Sequence, residues 1–135
     1  MERLAVRRTI DLDCSADALW RLVTSPDELA SWLGSDVELE LRTGGSGRVV
    51  DDDGLARHLR VDELVDGRRL AFTWWPEDDE RAASEVVFAI EATDGGSRLL
   101  VTETATGAAP ALATTSWDVR IVSLWLAVCS QAVTV

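Results

Sequence analysis

Val61-Asp62-Glu63-Leu64-Val65-Asp66-Gly67-Arg68-Arg69-Leu70-Ala71-Phe72-Thr73-Trp74 is the stretch whose reading decides the fold. Asp66-Gly67 is a strong hairpin signal, because the tight turns that match the twist of paired strands need positive φ at their central positions. After the turn, Leu70, Phe72 and Trp74 point to one side of the strand, and Ala71, Thr73 and Trp75 to the other. Leu59 and Val61 mark the partner strand before the turn, and Pro76 closes the strand after it.

Outward from this hairpin, a meander of six strands runs from Asp36 to the end of the last strand. Val37, Leu39 and Leu41 alternate with Glu38, Glu40 and Arg42; Gly44-Gly45-Ser46-Gly47 turns the chain; Val49-Val50 leads into the turn Asp51-Asp52-Asp53-Gly54. On the far side, Val86, Phe88 and Ile90 mark a strand, Asp94-Gly95-Gly96 a turn, and Leu99, Val101 and Glu103 share one face of the last strand. Leu4, Val6, Ile10 and Leu12 alternate with Ala5, Arg7, Thr9 and Asp11 and predict a further strand at the start of the chain.

Two short helices are expected between that strand and the meander. Ser15 caps the first, over Ala16 to Thr24. Ser25-Pro26-Asp27-Glu28 has the form of a capping box for the second, which carries Leu29, Trp32 and Leu33 on one face and ends at Gly34. After a loop from Ala105 to about Thr114, Thr115-Ser116-Trp117-Asp118 opens a long helix. On it Trp117, Ile121, Leu124, Trp125 and Val128 form one apolar stripe, and Val119, Val122, Leu126 and Cys129 a second. A helix apolar on nearly all sides must be covered on more than one face, either by a curved sheet with the short helices over it or also by a second subunit, as a homodimer.

The 135 residues suffice for one domain, expected over 1–135, with 47% hydrophobic and 27% charged side chains. The formal net charge of -11 repels polyanions, so no nucleic acid is expected as a partner. All 13 basic residues are Arg. Cys14 and Cys129 fit no metal spacing and read as small buried apolar residues. The N-terminal Met1-Glu2-Arg3-Leu4 carries no apolar signal region, which predicts a reducing cytoplasm. The apolar run Val119 to Val133 is interrupted by Arg120, Ser123, Ser130 and Gln131 and falls short of the roughly 20 residues that cross a bilayer, so no membrane is expected either.

The order strand, two short helices, six-strand meander and long helix resembles the START-like superfamily, also called SRPBCC or the birch-pollen-allergen fold. Within it, the chain is most similar to the family named for the activator of the ninety-kilodalton heat-shock-protein ATPase. The likeness rests on Leu19-Trp20 with Leu22, Trp32, Asp36-Val37, the Gly44-Gly45 turn, the central hairpin Val61 to Trp74, and Ser97-Arg98-Leu99 with Val101 and Glu103. It spans Arg3 to Val128 and is carried by order and spacing, since each motif alone is degenerate. One departure is Ser116-Trp117 where such proteins often have Gly-Trp; with the chain stopping at Val135, a shortened last helix is expected. The resemblance implies an α+β helix-grip fold: a seven-stranded curved antiparallel sheet around a long C-terminal helix, with two short helices between strands 1 and 2 and a cavity between sheet and helix. It does not carry over action on a chaperone ATPase.

His58 is the only histidine and its parity opposes Leu59 and Val61, an outer-face position; no Ser-His-Asp, Cys-His or two-His metal arrangement can be built around it. The runs Asp51-Asp52-Asp53 and Glu77-Asp78-Asp79-Glu80 lack the calcium-loop spacing and read as solvated turns. Gly44-Gly45-Ser46-Gly47 has no following Lys and joins strands, so it is not a phosphate loop. Arg57 and Glu103 share parity with the apolar residues of their strands, which places them either at a wet rim or inside as orienting groups for a ligand's polar end.

Six tryptophans are unusual for this length; Trp20 and Trp125 read as core, and Trp32, Trp74 and Trp117 as core or cavity wall. The expected function is binding of a hydrophobic small molecule, lipophilic or aromatic, in a cavity lined by Trp32, Phe72, Trp74, Phe88, Leu99, Trp117 and Ile121, with Arg57 and Glu103 as polar groups. No catalytic residue, metal or cofactor is assigned. The alternatives are a cyclase- or hydratase-type enzyme working through one acid or base such as Glu103, and a co-chaperone or regulatory interaction protein.

Overall fold

The structure, a computed structural model, describes residues 5–106 and 117–133, with side chains described as far as residue 129. Seven strands form one antiparallel sheet in the order β1-β7-β6-β5-β4-β3-β2. They are β1 Ala5–Leu12, β2 Asp36–Leu39, β3 Ser46–Val50, β4 Ala56–Val65, β5 Arg69–Pro76, β6 Ser84–Thr93 and β7 Gly96–Ala105. The helices are α1 Ala16–Thr24, α2 Pro26–Leu29 and α3 Trp117–Val133. This is the expected α+β helix-grip architecture, with a curved sheet, two short helices after β1 and a long helix at the end.

Local chemistry accounts for the boundaries. Ser15 Oγ accepts from the Ala18 amide at 3.1 Å and starts α1. At α2 the capping box does not close: Pro26 occupies the first turn, but Ser25 makes no side-chain cap bond and the helix ends at Leu29. Trp32 and Leu33 lie in the turns beyond it and are buried all the same. The Trp32 indole N–H donates to the Leu22 carbonyl at 2.8 Å, satisfying a carbonyl near the end of α1 that the helix cannot. The capping signature at Thr115-Ser116 lies outside the described residues.

The central hairpin pairs β4 with β5 as expected, with an irregularity the parity reading did not anticipate: the register shifts between Val61 and Glu63. The extra residue, Asp62, changes the inward parity from Leu59 and Val61 to Leu64, which then sits opposite Leu70. The bulge meets the glycine turn, where the Gly44 amide donates to the Val61 carbonyl and the Val61 amide to the Gly45 carbonyl, both at 2.8 Å. A Cβ at Gly45 would collide with the Glu40 carbonyl, which explains the glycine.

The core lies between the concave face of the sheet and α1, α2 and α3, and includes Leu19, Leu22, Trp32, Val61, Phe72, Val86, Phe88, Leu99 and Leu124. On α3, at about 100° per residue, Trp117, Arg120, Leu124 and Val128 share the buried side. Trp125, expected in the core, is half exposed; Trp20 is partly buried against the core. Both cysteines are free and only partly buried. No described helix is long and apolar enough to cross a membrane.

Gly67 turns the central hairpin at φ 76°, a left-handed conformation that strains any residue with a Cβ. Gly67→Ala is expected to lower unfolding stability by about 1 kcal/mol, read as a lower urea midpoint at an unchanged slope.

Candidate site on the concave face

Glu103 is the unusual residue of the interior. It follows Leu99 and Val101 on the inward face of β7 and is 0% exposed, so it is not at a wet rim. Its Oε2 accepts from the Trp74 indole N–H at 2.8 Å and from the Ser84 hydroxyl, and its Oε1 from the Trp117 indole N–H at 2.9 Å. The Trp74 N–H also reaches the Ser84 oxygen at 3.1 Å. The sheet register brings these groups together, since Trp74 on β5 pairs with Ser84 on β6, and β6 pairs with β7. Trp117 arrives from the first turn of α3.

The Trp74 and Trp117 rings are stacked, with centroids 6.0 Å apart and planes at 21°. Phe88 meets Trp117 edge-on at 6.0 Å and Phe72 at 5.6 Å; Phe72 meets Trp74 at 5.5 Å, and Trp32 meets Phe88 at 5.5 Å. The aromatic residues expected to line a cavity are thus joined by ring-to-ring contacts. Leu99 is buried in the same core, whereas Ile121 is half-buried on α3.

Arg57, at 2% exposure, is also inside. Its guanidinium carbon lies 4.7 Å from the Trp74 ring centroid, and Nη1 donates to Asp51 Oδ2 at 2.8 Å. Asp51 Oδ1 accepts from Arg120 Nη2 at 2.8 Å, and Arg120 Nε donates to the Leu33 carbonyl at 2.9 Å. The Arg120 guanidinium also lies 5.9 Å from the Trp74 ring and 5.7 Å from the Trp117 ring. One carboxylate therefore ties the β3–β4 turn to β4 and to α3, and burial keeps these pairs from the screening that weakens surface pairs.

Three members of this cluster were not among the expected site residues. Asp51 was grouped with a solvated turn, and that holds for the exposed Asp52 and Asp53 but not for Asp51, whose side chain is 15% exposed. Arg120 interrupts an apolar helix at core-facing spacing from Trp117 and Leu124, a signal that could have singled it out. Ser84 shares parity with Val86 and Phe88. His58, as its parity suggested, is exposed on the outer face, 3.5 Å from Glu77.

Beside this cluster lies a groove of about 290 Å³ between the end of α2, the β3–β4 turn and α3. Trp32, Leu33, Asp51, Val119, Arg120 and Ser123 are among the residues that line it. Asp51 and Arg120 belong to both the groove and the cluster, so they are the physical link between the outside and the stacked indoles.

The sequence profile of the family described as Activator of Hsp90 ATPase homolog 1-like protein matches residues 13–120, and the chain belongs to that family. Solved structures share the fold at low identity. Protein MLL2253 from Mesorhizobium loti is 20% identical with a TM-score of 0.80, over 95% of this chain and 98% of that one. The Aha1 dimer from Colwellia psychrerythraea is 17% identical with a TM-score of 0.77, over 93% and 96%. DynU16, from the dynemicin biosynthetic locus, is 23% identical with a TM-score of 0.69, over 94% of this chain and 45% of that one. A comparison with curated proteins finds no match. Family and fold go with a ligand-binding or regulatory domain in the broad sense.

Replacing Glu103 leaves buried donors facing each other. Glu103→Gln turns an amide NH₂ toward an indole or hydroxyl donor and is expected to cost about 1–3 kcal/mol. Glu103→Ala adds a void and should cost more, both read by chemical denaturation.

Proposed function

We propose that the chain binds a lipophilic or aromatic small molecule between the concave face and α3, with Glu103 and Arg57 meeting its polar end and the groove at Asp51 and Arg120 as its way in. The observation that carries this reading is Glu103 itself: a fully buried acidic side chain with three side-chain donors, set in an apolar aromatic surround. Packing alone does not ask for such a residue, because apolar side chains of similar volume fill a core at no desolvation cost. A ligand site does ask for a few fixed polar groups on an apolar wall. The similarity to half of DynU16, from a biosynthetic locus, agrees with a small-molecule ligand.

Because Trp74 and Trp117 are stacked, a guest between them parts the rings and replaces the hydrogen bond from Trp117 to Glu103 with one of its own. Trp32, Phe72, Phe88, Leu99 and Ile121 then offer apolar contact. The Asp51 bridge between Arg57 and Arg120 holds α3 against the β3–β4 turn, so it opposes that opening. We further propose that the protein acts in the cytoplasm as one domain and self-associates, for which the Colwellia neighbour, described as a dimer, is support.

Titrating the protein with a panel of lipophilic and aromatic molecules should give saturable quenching or a shift of tryptophan emission with at least one of them. Glu103→Gln should weaken that ligand about tenfold, equivalent to about 1.4 kcal/mol, and Asp51→Asn should speed its association. A folded protein whose emission no member of the panel changes saturably would remove the reading.

A further inference from the structure

Resting on the self-association just proposed, we infer that the outward face of α3 is the surface on which a second copy of this chain docks. Val119, Val122, Trp125 and Leu126 are 64%, 56%, 50% and 53% exposed, in a molecule whose other large apolar side chains are mostly buried. Their helical spacing places them on one continuous side, away from Trp117, Arg120, Leu124 and Val128. Val119, Val122 and Leu126 belong to the second apolar stripe of the sequence and Trp125 to the first, and no described residue of the chain covers them.

Charge selects the occupant. From Val119 to Cys129 the only charged side chain is Arg120, and it is turned inward onto Leu33 and Asp51. The whole chain carries 24 acidic against 13 basic residues. A basic partner would be drawn to the acidic faces and gain nothing from an uncharged stripe. A second copy carries the same net charge of -11, and on this stripe two copies meet without setting like charges against each other. A two-fold contact must also be self-complementary, and an uncharged apolar stripe meets that condition against itself.

The area is consistent with this occupant. The four side chains leave roughly 400 Å² accessible, about half of the roughly 800 Å² that each partner buries in a standard interface, which matches the apolar centre of one. The exposed Arg8–Asp118 pair, at 2.8 Å, stands at the N-terminal end of the stripe as part of its polar rim. Trp125 is the large aromatic that such interfaces use as an anchor.

Sedimentation equilibrium of the full chain tests this across protein concentration at low and high salt. A concentration-dependent dimer is expected. Its association should tighten as salt screens the repulsion between two copies of charge -11. Trp125→Glu combined with Val122→Glu, both at exposed positions, should weaken it about 30-fold or more with the circular dichroism of the wild type retained. In the unmodified protein, mixed isotope-labelled samples should give intermolecular NOEs from the Trp125 ring to the methyls of Val119, Val122 or Leu126. A monomer under all conditions overturns self-association itself. A dimer that is untouched by the double variant and lacks those NOEs overturns the interface while leaving self-association standing. A monomer that binds neutral phosphatidylcholine vesicles through Trp125 assigns the stripe to lipid and overturns the second copy as occupant.

Discussion

The two oxygens of Glu103, closed off from water on the concave face, need donors, and the fold supplies them from three different elements. Trp74 comes from β5, Ser84 from β6 and Trp117 from α3. A buried acid is expensive unless its oxygens are met. Meeting them fixes how the end of the sheet and the start of the last helix lie against each other. The stacked indoles follow from this, because both N–H groups converge on one carboxyl and their rings are brought face to face. The Arg57–Asp51–Arg120 bridge adds a second tie between the same helix and the sheet, near one end of the groove.

Most of the architecture was legible because it depends on two local signals, alternation and turn chemistry. Asp66-Gly67, the glycine turn at Gly44-Gly45 and the alternation along β5, β6 and β7 placed the strands, and Ser15 placed α1 at its observed bounds. What stayed hidden depends on contacts between distant parts. The Asp62 bulge arises where the glycine turn docks on Val61, residues remote in sequence. The short α2 reflects tertiary packing of Trp32 and Leu33 that does not need a helix to continue through them.

The site was legible by parity alone at Glu103 and Arg57, since a charged residue in phase with an apolar strand face stands out. Parity could not tell a wet rim from an enclosed network, because that depends on where Trp117 comes to rest. Asp51 was hidden in a run of three aspartates, of which only one turns inward. On α3, Trp125 was assigned to the core because large aromatics usually go there, yet the buried side is that of Trp117, Arg120, Leu124 and Val128, with Arg120 held by Asp51 and the Leu33 carbonyl. Trp125 falls on the opposite, exposed side with Val119, Val122 and Leu126.

The most direct test of the binding account follows the two indole N–H groups on Glu103. In a ¹H–¹⁵N spectrum, the Trp74 and Trp117 side-chain resonances should move together and saturably as a lipophilic or aromatic ligand is added, with an indole away from the site, that of the outer-face Trp75, nearly unmoved. A ligand that binds while the resonances of Trp74 and Trp117 stay fixed would contradict the account, because the carboxyl at the centre of the fold would then play no part in recognition.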